Sequence, residues 1–183
     1  MALDFRRLVH LLENHYREVD ASQRLDQSAR VALTVQGWIE ASPEAGHDLE
    51  LGLVLAYLVP VRERVLATPT SRTAVEAYCV EHGWTDSRTK QLFQSLATLP
   101  DQPKSPLEQL VADAETLSRL GILGFARALA AGGARGAELE DIMWGMNKVA
   151  GRRLYTPQGQ RDAVPLKRRI QELVSELDRA LRP

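Results

Sequence analysis

The chain has 183 residues, 44% of them hydrophobic and 26% charged, with a formal net charge of -1. That length buries a sizeable core yet stays within the ordinary range of one domain, and the composition excludes a disordered chain and a strongly basic binder of polyanions. The one cysteine, Cys79, has no partner for an internal disulfide and fits no zinc-type spacing, which points to a reducing cytoplasm. No apolar run approaches the roughly 18 residues of a spanning helix, so a membrane is not an expected partner.

Apolar residues recur at helical spacing almost throughout, without sustained two-residue alternation, which predicts an all-α fold. The expectation is one domain over 1–183, built from roughly seven to nine helices. Phe5, Leu8, Val9 and Leu12 mark the first helix face, and Val31, Leu33, Val35 and Trp38 a second helix that Ser42-Pro43 ends. The apolar run Leu49 to Val59 reads as a central helix buried on most sides and stopped by Pro60. Thr70 or Ser71 and Thr85 are candidate caps of two shorter helices, the first ending at His82-Gly83. Ser105-Pro106-Leu107-Glu108 combines a capping serine, a proline at the first helical position and a glutamate three residues after the cap. Leu107 to Ala131 reads as one long helix bent near Gly121 and Gly124 and ended by Gly132-Gly133. A helix from Glu138 to Ala150 follows, and Leu166, Ile170, Leu173, Val174, Leu177 and Leu181 give the stripe of a last one.

The stretch Val111 to Gly136, VADAETLSRLGILGFARALAAGGARG, resembles the ligand-bearing helix of the HD-domain metal-dependent phosphohydrolases, with Asp113 at the aspartate that closes the family's metal site. The resemblance covers roughly residues 14 to 180 and implies an HD-domain-like helical bundle. Asp20 to Val31 stands where the family opens its metal site, but both histidines of that segment are glutamines here, Gln23 and Gln27. At the end of the apolar helix the histidine-aspartate pair that names the family is Ala56-Tyr57, and the region Leu92 to Leu99, where a further histidine belongs, has none. Downstream, Trp144, Lys148, Leu154, Thr156, Gly159 and Ala163 are similar to the family's C-terminal segment.

A divalent transition metal needs several imidazoles or carboxylates converging on one point. Gln23 and Gln27 offer amide oxygens, Ala56 offers nothing, and a phenol such as Tyr57 ligates well only after losing a proton with a reference pKa of about 10. With Asp113 as the remaining carboxylate, no metal or other cofactor is expected, and without the ion there is no activated hydroxide for hydrolysis.

The literal pair His47-Asp48 starts the apolar helix, where an aspartate caps rather than ligates. His10, His15 and His82 are scattered. Asp113 is expected to accept hydrogen bonds from Gln23 or Gln27, and Arg127 to pair with an acidic side chain or, as the alternative, to hold a phosphate. From Lys148 onward nine Lys or Arg face four acids. A solvated amphipathic helix explains them better than nucleic acid, since Tyr155 is the one aromatic there for base stacking. The reading is a degenerate HD-type protein, a pseudoenzyme acting as a binding, regulatory or scaffolding module. Its ligand is a nucleotide or other phosphorylated molecule, or a protein partner. Candidate pocket residues are Gln23, Gln27, Arg30, Ala56, Tyr57, Asp113 and Arg127, with none assigned to catalysis. The alternative is a phosphohydrolase with a rebuilt metal site or a metal-free chemistry using Asp113 and Tyr57.

Overall fold

The computed structural model describes residues 3–18 and 25–181. Among the described residues the regular structure is entirely helical, in the order α1 (Phe5–Leu11), α2 (Glu13–Glu18), α3 (Leu25–Ala41), α4 (Leu49–Leu58), α5 (Arg62–Ala67), α6 (Pro69–Glu81), α7 (Asp86–Thr98), α8 (Pro106–Ser118), α9 (Gly121–Ala134), α10 (Leu139–Ala150) and α11 (Pro157–Leu181). The all-α expectation holds. The helices outnumber the seven to nine expected, because breaks at Leu12 and after Ser118 divide stretches whose apolar spacing runs on through them. Among the described residues no helix is long and apolar enough to cross a membrane.

Helix α4 is the hub. The Asp48 carboxylate accepts from the Leu51 amide at 3.0 Å and so caps it, while Leu51, Val54, Leu55, Ala56 and Leu58 are buried against α3 and α8. Each large side chain hidden in this way contributes about 1.5–3 kcal/mol. Pro60 lies in a tight 3-10 turn, Val59–Val61, that hands the chain to α5. Asp48 also takes two bonds from Arg88, at 2.9 and 2.5 Å, and Arg88 reaches Glu50 at 2.9 Å while lying 4.0 Å over the Trp84 ring. The aspartate of His47-Asp48 is thus consumed in capping and in a charged clamp between α4 and α7.

Two boundaries differ from the sequence reading. Neither Thr70 nor Ser71 caps α6: Thr68 precedes it without a side-chain bond, Pro69 occupies its first turn, and Ser71 already lies inside. Proline has no amide to satisfy there and its φ is preset for the helix, so the start shifts to it. Leu107 to Ala131 is two helices, because Gly121 adopts φ +70, a left-handed conformation that ends one helical path and opens another. Helix α9 then runs through Gly132-Gly133 to Ala134, and the left-handed residue beyond it is Gly136. Glycine permits a helix to end but does not compel it.

The apolar interior has two parts. One joins α1 to α8 around α4, and the other gathers Leu120, Phe125, Met143, Met146, Ile170 and Val174 from α9, α10 and α11. Leu117 packs on both, and Trp38 of α3 donates its indole N–H to Asp162 of α11 at 2.9 Å. Cys79 lies fully inside the first part, where burial pushes its thiol up to about 11, so it stays protonated and inert at neutral pH.

At the start of α8, Ser105 caps as expected, accepting from the Glu108 amide at 3.2 Å. The Glu108 carboxylate accepts from the Lys104 amide at 2.6 Å and from the hydroxyls of Ser95 and Thr98 at 2.7 and 3.1 Å. Burial by itself raises its pKa; these donors outweigh it and hold the carboxyl below its usual range. A depressed folded pKa stabilises above the unfolded value, and that stability is lost as pH falls through the folded value. Glu108→Gln is therefore expected to cost about 1–2 kcal/mol at neutral pH, with the gap to the parent closing below about pH 4. Urea unfolding at pH 7 and pH 3.5 measures this, and an undiminished gap in acid contradicts it.

Candidate functional site

Asp113 sits in the middle of α8, fully buried, and is bound on the side facing the start of α11. Its Oδ1 accepts from the Tyr155 amide at 2.9 Å, and its Oδ2 from the Tyr155 amide at 3.2 Å, the Thr156 amide at 2.7 Å and the Thr156 hydroxyl at 2.7 Å. Thr156 passes the contact on, its Oγ1 accepting from the Gly159 amide at 3.0 Å. A carboxylate suits this place because the first amides of a helix lack intrahelical partners and carry the positive end of its dipole. Asp113 thereby ties α8 to the head of α11. The hydrogen bonds expected from Gln27 are not those it makes.

Gln27, in α3, is also buried, and its Nε2 donates to Ser118 Oγ at 2.9 Å, which donates to the Glu115 carbonyl at 2.7 Å. Its Oε1 is buried without a partner. Ala56 is fully enclosed among the apolar side chains around α4. Tyr57 is half-buried and stacks on Phe5 with ring centroids 5.2 Å apart, and burial raises its phenol's pKa further from the neutral range. Arg30 is exposed on α3. Arg127, in α9, pairs with Asp26, while its Nη1 is buried without a hydrogen-bond partner. Gln23 lies outside the described residues. Glu115, the second acid of the Asp-Ala-Glu triplet, is buried and paired with Arg119, with Arg152 4.0 Å away.

Of the residues that the resemblance places at ligand positions, those described offer few donors to a divalent transition metal. Ala56 brings no donor atom, Tyr57 is held in its protonated form, and both Asp113 oxygens are already accepting. The histidines stand apart: His15 bonds to Ser71 at 2.6 Å, His82 lies between the Asp4 amide and the Tyr78 carbonyl, and His10 is 3.6 Å from Glu13. Among the described residues no three His, Cys, Asp or Glu side chains come together as a metal cage.

A cavity of about 280 Å³ lies beside this region, between α9 and α10, with the head of α3 and the end of α8 against it. Gln27, Ser118, Arg119, Arg127 and Arg135 supply polar wall, Ala131, Ile142, Met146 and Val149 apolar wall, and Asp141 a carboxylate. It unites Gln27 and Arg127 but leaves Arg30, Ala56, Tyr57 and Asp113 outside its lining. Sequence reasoning missed Ser118, Arg119 and Arg135. The available signal was the run of small residues in α9, which leaves room beside a helix that also carries arginine.

No family profile and no curated protein sequence matches the chain. Its structure is similar to that of the Lin1889 protein of Listeria innocua, with TM-score 0.72, 14% identity and coverage of 97% of this chain and 96% of that one. Bacillus subtilis YpgQ in complex with ADP gives TM-score 0.67, 15% identity and coverage of 96% and 98%. A predicted HD superfamily hydrolase from an uncultured Thermotogales bacterium gives TM-score 0.60, 14% identity and coverage of 98% and 92%. At such identities the likeness concerns the fold, which is that of an HD-like helical bundle.

Proposed function

We propose that this HD-like bundle works as a non-catalytic binding module for a phosphorylated small molecule. The observation that carries the reading is the commitment of Asp113 to the head of α11, taken together with an alanine and a phenol, Ala56 and Tyr57, at the positions where the resemblance places histidine and aspartate. Hydrolysis in the family manner needs an ion that activates water and polarises a phosphoryl oxygen, and these residues cannot gather one. Gln27 and Arg127 remain as polar groups at a cavity, and the ADP bound by YpgQ, a protein of the same fold, supports a nucleotide-like ligand. Gln23, next in the resemblance, and Arg30 are further candidate contacts.

The test is metal content after separate incubation with manganese, iron, zinc and magnesium and removal of excess ion, together with assay of ADP and other phosphate esters for turnover. The expected result is retention below about 0.1 equivalent of each ion, as follows when fewer than three ligands converge, and no ion-dependent release of phosphate. The likeness to a predicted hydrolase favours the second reading, a phosphohydrolase with a rebuilt site. Near-stoichiometric retention with turnover establishes that reading instead.

A further inference from the structure

We infer that the exposed face of α10 is a self-association surface, and that its occupant is the same face of a second copy of this chain, laid antiparallel across a two-fold axis at Trp144.

Helix α10 sorts its side chains by polarity except at one position. Met143 and Met146 are buried in the second part of the interior, while Glu140, Asp141, Asn147 and Lys148 are exposed. Among these polar groups stands Trp144, 67% exposed. The other two tryptophans of the chain, Trp38 and Trp84, are 7% and 5% exposed, so the fold encloses this side chain where packing uses it. An indole left in water carries the large rigid apolar area that makes tryptophan the residue most enriched at the energetic centres of protein interfaces.

The charges flanking Trp144 identify the occupant. Glu140 lies four residues before it and Lys148 four after it, so the three form one ridge of the helix, negative at one end and positive at the other. Four residues span about 6 Å of axis in either direction. A two-fold axis at Trp144 therefore sets Glu140 of each copy opposite Lys148 of the other, the reciprocal pattern of an isologous interface. A parallel pairing brings like charges together instead. In the same antiparallel register Asp141 comes opposite Asn147, whose amide can donate to it. Lys148 Nζ already stands 5.3 Å from the centre of its own Trp144 ring, which holds the ammonium beside the indole where the second copy's carboxylate arrives. Beside the ridge, the row Asp141, Gly145, Val149 is notched at Gly145, where a Cβ meets nothing within 4 Å, so an incoming indole can lie against the main chain.

Sedimentation equilibrium of the full chain between about 5 and 500 µM is expected to show monomer and dimer with a Kd on the order of 100 µM, as suits one helix pair covering less than about 1,200 Å². Trp144→Ala is expected to weaken the dimer at least about tenfold with circular dichroism unchanged. Leu33→Ala, which removes an apolar side chain 68% exposed on α3, is expected to leave it unaltered. Glu140→Lys and Lys148→Glu each set like charges face to face twice, and each is expected to weaken the dimer about tenfold or more. An equimolar mixture of these two variants recreates both opposite-charge pairs and is expected to associate within about threefold of the parent. A chain that stays monomeric over the whole range overturns the second copy as occupant and leaves the face to a different protein. A dimer that survives Trp144→Ala overturns the surface. A mixture that associates no better than its two components overturns the antiparallel register.

Discussion

Gly124→Ala is expected to abolish the stable fold or lower its stability by at least about 4 kcal/mol, a loss confined to a few mechanisms such as forced backbone clash. A Cβ at Gly124 stands 2.0 Å from the Arg119 carbonyl oxygen and 2.2 Å from its carbon. Both are backbone atoms and cannot rotate aside. The contact exists because Gly121, at φ +70, turns the chain so sharply after α8 that the first turn of α9 lies against the end of the helix before it. Relieving the clash means moving α9 by more than an ångström, which opens the packing of Leu120 and Phe125 on α11. Gly133→Ala is the control: it lies exposed inside the same helix, a Cβ there meets nothing, and it is expected to be neutral or to stabilise by up to about 1 kcal/mol. Urea unfolding followed by circular dichroism reads both. A Gly124→Ala protein within 1 kcal/mol of its parent contradicts the tight α8–α9 junction.

The contrast between these glycines shows what a sequence can carry. Apolar spacing and caps are local, so α4 with its Asp48 cap, α8 with Ser105-Pro106 and the stripe of α11 were legible from residues a few positions apart. The sign of φ at Gly121 is not written in its neighbours; it is set by how α9 must lie against α8, and the apolar period runs on through the break undisturbed. The site divides in the same way. An acidic partner for Arg127 was readable from residue types alone, and Asp26 is that partner. The partners of Asp113 were not, because Tyr155 and Thr156 lie more than forty residues away and two of the three donors are main-chain amides, which have no residue-specific signature; the third is the Thr156 hydroxyl. The cavity was equally hidden, since it arises from the gap between α9 and α10 and no single element encodes it.

Asp113→Ala is expected to cost about 3–5 kcal/mol, the range for removing one partner of a buried charge-assisted network. The substitution strips the Tyr155 and Thr156 amides and the Thr156 hydroxyl of their acceptor at once. Asp113→Asn keeps the shape but turns an amino group toward those donors, and is expected to lose about 2–3 kcal/mol. Both values refer to chelator-treated protein, which separates the two meanings of this residue. A carboxylate held in reserve for a metal contributes little to the metal-free fold, and its conversion to asparagine then relieves charge at small effect. A carboxylate that fastens α8 to the head of α11 is missed immediately. Gly159 supplies an independent check, because a Cβ there stands 2.4 Å from Asp113 Oδ2 and 2.9 Å from its Cβ. Gly159→Ala alone is expected to destabilise by about 3 kcal/mol or more through overpacking. Combined with Asp113→Ala, it is expected to cost about 1–2 kcal/mol less than the sum, since the obstructing carboxylate is gone. Strict additivity in that cycle, or an Asp113→Asn protein within 1 kcal/mol of the parent, sinks the anchoring role and returns Asp113 to the pool of available ligands.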